Sequence, residues 1–118
     1  MVSKLWRSFW FAWAGMVIAW REEKSFKIEI GTGVIALIIS YVLHISRVEF
    51  AIIIFVIFFI LSVEALNTSI EEICDKFHPD RDPHIARIKD LAAAAILLAV
   101  IGSIVVALII FVPYILSI

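Results

Sequence analysis

The chain has 118 residues, 64% of them apolar, one cysteine and a formal net charge of −1; its mean hydropathy is +1.08. A soluble domain is usually about 45–50% apolar, and one so small has too little interior for the excess, which therefore belongs in a bilayer. Near-neutral charge without a basic, aromatic-rich stripe excludes a nucleic-acid binder, and a lone Cys74 excludes an internal disulfide or a cysteine-based zinc site.

Residues 3–24 read as an amphipathic helix lying in the membrane surface. Trp6, Trp10, Trp13 and Val17 repeat at helical spacing on one face, and indole rings favour the headgroup layer. Lys4 and Arg7 precede the apolar part, and Arg21, Glu22, Glu23 and Lys24 follow it. The uncharged run from Ser8 to Trp20 is shorter than the roughly 20 residues that a span requires. No small-residue cleavage site precedes Arg21, so the segment is expected to stay on the mature chain.

The first span is expected over 26–44, with Gly31 and Gly33 allowing close helix packing. A short connection at 44–49 leads into a second span over 48–76. Residues 50–63 of that span are almost wholly apolar, whereas Glu64, Asn67, Thr68, Ser69, Glu71, Glu72 and Asp75 follow on the same helix. His78-Pro-Asp-Arg-Asp-Pro83 breaks the helix. A third span over 84–114 begins with Arg87, Lys89 and Asp90, offers Ala92–Ala95 as a flat packing surface, and reaches Pro113 where it is ending. Basic residues gather before residue 28 and between 76 and 89, whereas the 44–49 loop has only Arg47. The positive-inside rule therefore places the N-terminus and the second hairpin in the cytoplasm and the C-terminus outside. The fold class is an all-α membrane bundle of one surface helix and three spans, forming a single domain over 1–118.

At about 100° per residue, Glu64, Asn67, Glu71 and Asp75 share one face about 80° wide. Ionisable groups at membrane depth cost at least about 2.5 kcal/mol each at the bilayer centre, so this face requires a cation, a basic partner or water. Hard oxygen donors suit Mg²⁺; Lys89 or Arg87 across the hairpin would serve as an ion-pair partner instead. Spacing alone leaves open a metal or proton site and a set of ion-paired helix ends. It also leaves open a small proton- or ion-translocating protein using Glu64 and Glu71, and a structural oligomer whose polar face seals an interface.

The run Val63-Glu-Ala-Leu-Asn-Thr-Ser-Ile-Glu-Glu-Ile-Cys-Asp75 resembles the signature of the prokaryotic diacylglycerol kinase family, which includes undecaprenol kinases. Arg87-Ile-Lys-Asp90 resembles its second block and Trp20-Arg-Glu-Glu-Lys-Ser-Phe26 its third. The resemblance implies a homotrimer in a bacterial inner membrane, with active sites between subunits at the cytoplasmic face, transferring the γ-phosphate of MgATP to diacylglycerol or undecaprenol. It implies Glu64 as general base; Glu23 and Glu71 as Mg²⁺ ligands; Asn67, Lys89 and Asp90 as further ATP contacts; and Ala93 beside the lipid. Ala93 stands where some members carry serine, Phe11 where a nucleotide-contacting tyrosine stands, and the 78–83 hairpin differs from both main branches. Glu29 matches another acidic family position and is equally suited to a helix-end ion pair with Lys27.

Overall fold

The computed structural model describes residues 1–77 and 82–118 as four helices, with no strand among the described residues. They are α1 (Val2–Glu22), α2 (Lys24–Val42), α3 (Arg47–Phe77) and α4 (Pro83–Leu116). The last three are long and apolar enough to cross a membrane, and α1 falls outside that set. The chain is thus an all-α membrane protein.

Glu23 separates α1 from α2. Its backbone is extended (φ −105°, ψ 107°), ending the first helix and starting the second. The break lets α1, which buries no residue, leave the direction of α2. Its indole and phenyl side chains, including Trp6, Trp10, Trp13 and Phe11, remain exposed. In α2, Lys27 places its ammonium 5.6 Å from the centre of the Trp20 ring, joining the two helices by a cation–π contact.

Within the spans, hydroxyl groups are satisfied by their own helices, as a lipid environment requires. Thr32 donates to the Ile28 carbonyl at 2.8 Å, Ser40 to Ala36 at 2.7 Å and Ser62 to Phe58 at 2.8 Å. Helices α2 and α3 approach closely at Gly33, where an added Cβ would lie 3.0 Å from Ile57 Cγ2. Gly31, expected to share that role, faces open space in the protomer. Of the Ala92–Ala95 run only Ala92 is buried. Helix α4 continues past Pro113 to Leu116; so near its end, the missing proline N–H costs one hydrogen bond and does not break the helix.

Helix α3 has 31 residues, about 46 Å at 1.5 Å per residue, whereas a bilayer core is about 30 Å thick. One end must therefore stand clear of the hydrocarbon, and the polar residues 64–77 occupy the end opposite Arg47. The protomer exposes 9278 Å², against about 6,450 Å² for a compact soluble chain of its 13.3 kDa mass. Among the described residues the buried apolar core is limited to Phe26, Ile53, Cys74, Ala92 and Ile110. The apolar side chains face outward because lipid, not a protein interior, is their solvent.

The opposite end is closed by a polar clasp. His44 adopts a left-handed backbone (φ 53°) that turns the chain between α2 and α3. Ser46 and Glu49 then form a capping box: Glu49 N–H donates to Ser46 Oγ at 3.1 Å, and Ser46 N–H donates to Glu49 Oε1 at 3.0 Å. Tyr114, on the last turn of α4, donates its hydroxyl to Glu49 Oε1, tying α4 to the start of α3. A hydrogen bond to a charged acceptor is among the stronger ones, so Tyr114→Phe is expected to lower the thermal midpoint in detergent by a few degrees. Glu49→Gln in the Tyr114→Phe background should add little; independent effects of the two changes would contradict the clasp.

Candidate active site

The inward face of α3 changes character along its length. Ile53, Glu64, Asn67 and Cys74 are its buried residues. Glu64 and Asn67 are only 8% and 9% exposed, so this face passes from isoleucine to carboxylate while staying inside the bundle. Glu71, one turn on, is half-buried. Asn67 Nδ2 donates to Glu71 Oε1 at 3.4 Å, which orients the amide. Asn67 Oδ1 is left buried with no partner among the described residues, an acceptor aimed at something the chain itself does not supply.

A second helix brings acid to the same place. Glu29, on α2, lies near enough to Glu64 for the two charges to act on each other, and its Oε2 is buried with no partner among the described residues. The ion pair considered for Glu29 and Lys27 does not form: Lys27 is taken by the Trp20 ring, and the one salt bridge among the described residues joins Lys89 and Asp75. The charges of Glu23, at the α1–α2 break, and of Glu71 also bear on Glu64. Three further carboxylates, Glu23, Glu29 and Glu71, thus act on Glu64. Carboxylates held near one another favour a shared proton or a cation between them.

Below this polar end lies an apolar groove of about 460 Å³ between α2, α3 and α4. Glu29 and Thr32 lie on its wall, with Gly33, Ile53, Ile57 and Ser103 among the other lining residues. The carboxylates therefore sit where an apolar cleft meets an acidic pole, a place suited to a molecule with a hydrocarbon tail and a polar head.

Lys89, seven residues into α4, reaches back to Asp75 with Nζ–Oδ1 2.7 Å. Of the two basic partners suggested across the hairpin, the structure selects Lys89. Asp90 and Ala93 are exposed on the protomer, and Asp90 makes no salt bridge among the described residues. The structure thus brings together Glu64, Asn67 and Glu71 on one face of α3, places Glu23 at the α1–α2 break, holds Lys89 one turn beyond Glu71, and leaves Asp90 and Ala93 on the surface. Residues 78–81 of the hairpin that differs from both family branches lie outside the described residues. Phe11, at the position linked to adenine contacts, is exposed on α1.

No three His, Cys, Asp or Glu side chains among the described residues gather tightly enough to enclose a metal by themselves. Magnesium does not require that: it usually takes one or two carboxylates and completes its shell with water and substrate phosphates. Glu71 and the unpartnered Asn67 oxygen, one turn apart on α3, are hard oxygen donors of that kind, so these residues fit the ion.

Residues 10–111 match the Prokaryotic diacylglycerol kinase family. The chain belongs to this family. It is 32% identical over 111 residues to a diacylglycerol kinase of Synechocystis, covering 93% of this chain and 63% of that protein, so it spans under two thirds of that relative's length. It is 27% identical over 95 residues to the diacylglycerol kinase of Escherichia coli K12, covering 80% of this chain and 78% of that one. It is also 30% identical over 112 residues to the undecaprenol kinase of Bacillus subtilis, covering 95% of this chain and 91% of that one. These matches take in α2, α3 and most of α4, and with them every acidic residue of the site.

Partial burial of the Glu29 carboxylate near Glu64 works against the fold when no cation is bound. Without added cation, Glu29→Gln is therefore expected to raise the thermal midpoint by a few degrees, since it removes a charge and keeps the shape. A lower midpoint would mean that the Glu29 carboxylate is itself stabilising.

Proposed function

We propose that this protein is a lipid kinase of the bacterial inner membrane that moves the γ-phosphoryl group of MgATP to the primary alcohol of a membrane lipid, either diacylglycerol or undecaprenol. The observation that carries this reading is Glu64: a buried carboxylate on one helix face with Asn67 and Glu71, three turns short of the Asp75–Lys89 pair, beside an apolar groove whose wall carries Glu29. A lipid tail in the groove would leave its hydroxyl at the level of the carboxylates.

In this reading Glu64 accepts the hydroxyl proton through its carboxylate. The lipid oxygen forms a bond to the γ-phosphorus, the bond from that phosphorus to the β,γ-bridging oxygen breaks, and ADP leaves. Glu23 and Glu71 hold the magnesium, which supplies charge neutralisation at the phosphates when bound. Asn67 orients the phosphate or the metal shell through its unpartnered oxygen. Lys89 meets phosphate oxygens as a point charge, and Asp90 helps hold the nucleotide. The charged end lies at the cytoplasmic face, where the basic residues of the N-terminal segment and the second hairpin cluster. A homotrimer with shared sites accounts for exposed Asp90 and Ala93, which a neighbouring copy would cover together with part of the excess apolar surface. Ala93, in place of a serine near the lipid hydroxyl, gives a slight lean toward undecaprenol.

An ion-translocating role fits less well. Acidic groups for transport are expected along a path through the bilayer, whereas here they crowd one end and Glu49 at the other is held by Tyr114. In proteoliposomes, Glu64→Gln is expected to lower lipid phosphorylation by a factor of about 10² or more while MgATP still raises the thermal midpoint. Glu71→Gln is expected to remove that MgATP-dependent rise. Retained turnover in Glu64→Gln would remove Glu64 as the base. A cation flux that needs Glu64 but no ATP would favour the transporter.

A further inference from the structure

In the Asp75–Lys89 contact the proposed chemistry uses Lys89 but gives Asp75 no part. Asp75 follows Glu71 by one turn on the same face of α3, while Lys89 comes from α4 on the other side of the hairpin. Their side chains meet at 2.7 Å while remaining 66% and 39% exposed. So exposed a pair adds little to the fold. It does, however, fix where the ammonium stands: at the open end of the carboxylate row, within the field of Glu71. A lysine ammonium carries three N–H donors. Asp75 takes one, and no other described side chain accepts a hydrogen bond from the remaining two.

We propose that Asp75 is a positioning residue for the phosphate donor: it anchors the Lys89 ammonium at the mouth of the site and leaves two N–H groups free for phosphate oxygens. This inference rests on the kinase reading above. An unanchored lysine on an exposed helix samples many rotamers and loses that freedom when it binds an anion. Anchoring removes most of that loss beforehand, as preorganisation does in general. Asp75 therefore favours a triphosphate through Lys89, although its own charge repels one. The opposite arrangement, a latch that phosphate must break, would make Asp75 a competitor, and its removal would tighten binding.

The test is a double-mutant cycle on the full-length protein in proteoliposomes, with Asp75→Asn, Asp75→Glu, Lys89→Met and the Asp75→Asn/Lys89→Met pair. Lipid phosphorylation gives KM for MgATP and kcat. The MgATP concentration giving a half-maximal thermal shift reports binding in variants that do not turn over. Asp75→Asn is expected to raise KM roughly threefold to fivefold, with kcat within about twofold of wild type. Asp75→Glu should recover most of the loss, and Asp75→Asn should change nothing further once Lys89 is methionine. An unchanged or lower KM in Asp75→Asn overturns the proposal, and so does an equal loss in the Lys89→Met background. A wild type that binds MgATP without phosphorylating lipid removes the kinase reading and leaves the cycle on binding to judge Asp75. A wild type that does neither removes both.

Discussion

Carboxylates on the inward face of a membrane helix are the constraint around which this molecule is arranged. A charge at the bilayer centre is costly, and several on one face repel one another. The helix limits that cost by length. At 31 residues, α3 outruns the hydrocarbon, so Glu64 lies near its inner edge and Glu71 and Asp75 lie beyond it. What remains is the concentration of Glu23, Glu29, Glu64 and Glu71 in one place, with Lys89 the only lysine or arginine among the described residues in a salt bridge there. Acids so short of positive charge beside them call for a proton, a cation or water.

The rest of the bundle serves that arrangement. Gly33 lets α2 close on α3 at Ile57, and one turn before it Glu29 comes level with Glu64. At the far end the Ser46–Glu49–Tyr114 clasp fixes α4 against the α2–α3 turn. The position of Lys89 at the charged end is thus referred to both ends of the hairpin. The cost of holding the acids together is a native state less stable than it could be, which is common where a site serves chemistry.

Much of this was legible in the sequence. The three apolar runs and the proline-rich break predict the helices, because a bilayer permits few other structures for such a chain. The face shared by Glu64, Asn67, Glu71 and Asp75 follows from the helical period, and the family resemblance named the same residues. What could not be read was register between helices. Nothing in Lys27-Ile-Glu29 says that the acid turns inward to Glu64 while the lysine turns back to Trp20; that depends on how deeply α2 seats against α3. Arg87 and Lys89 were equal candidates for Asp75, and only the rotation of α4 separates them. Gly31 and Gly33 look alike in sequence, yet one meets Ile57 and the other open space. Tyr114 and Glu49, 65 positions apart, carry no local signal of their contact.

A carboxylate row that serves phosphoryl transfer, as proposed, must be open to both water and lipid. The most direct measurement reconstitutes the wild-type protein with diacylglycerol or undecaprenol, supplies ATP labelled in its γ-phosphate, and follows label into the lipid fraction with and without Mg²⁺. The account predicts magnesium-dependent label in at least one of the two lipids. Folded protein that binds MgATP and labels neither would contradict it.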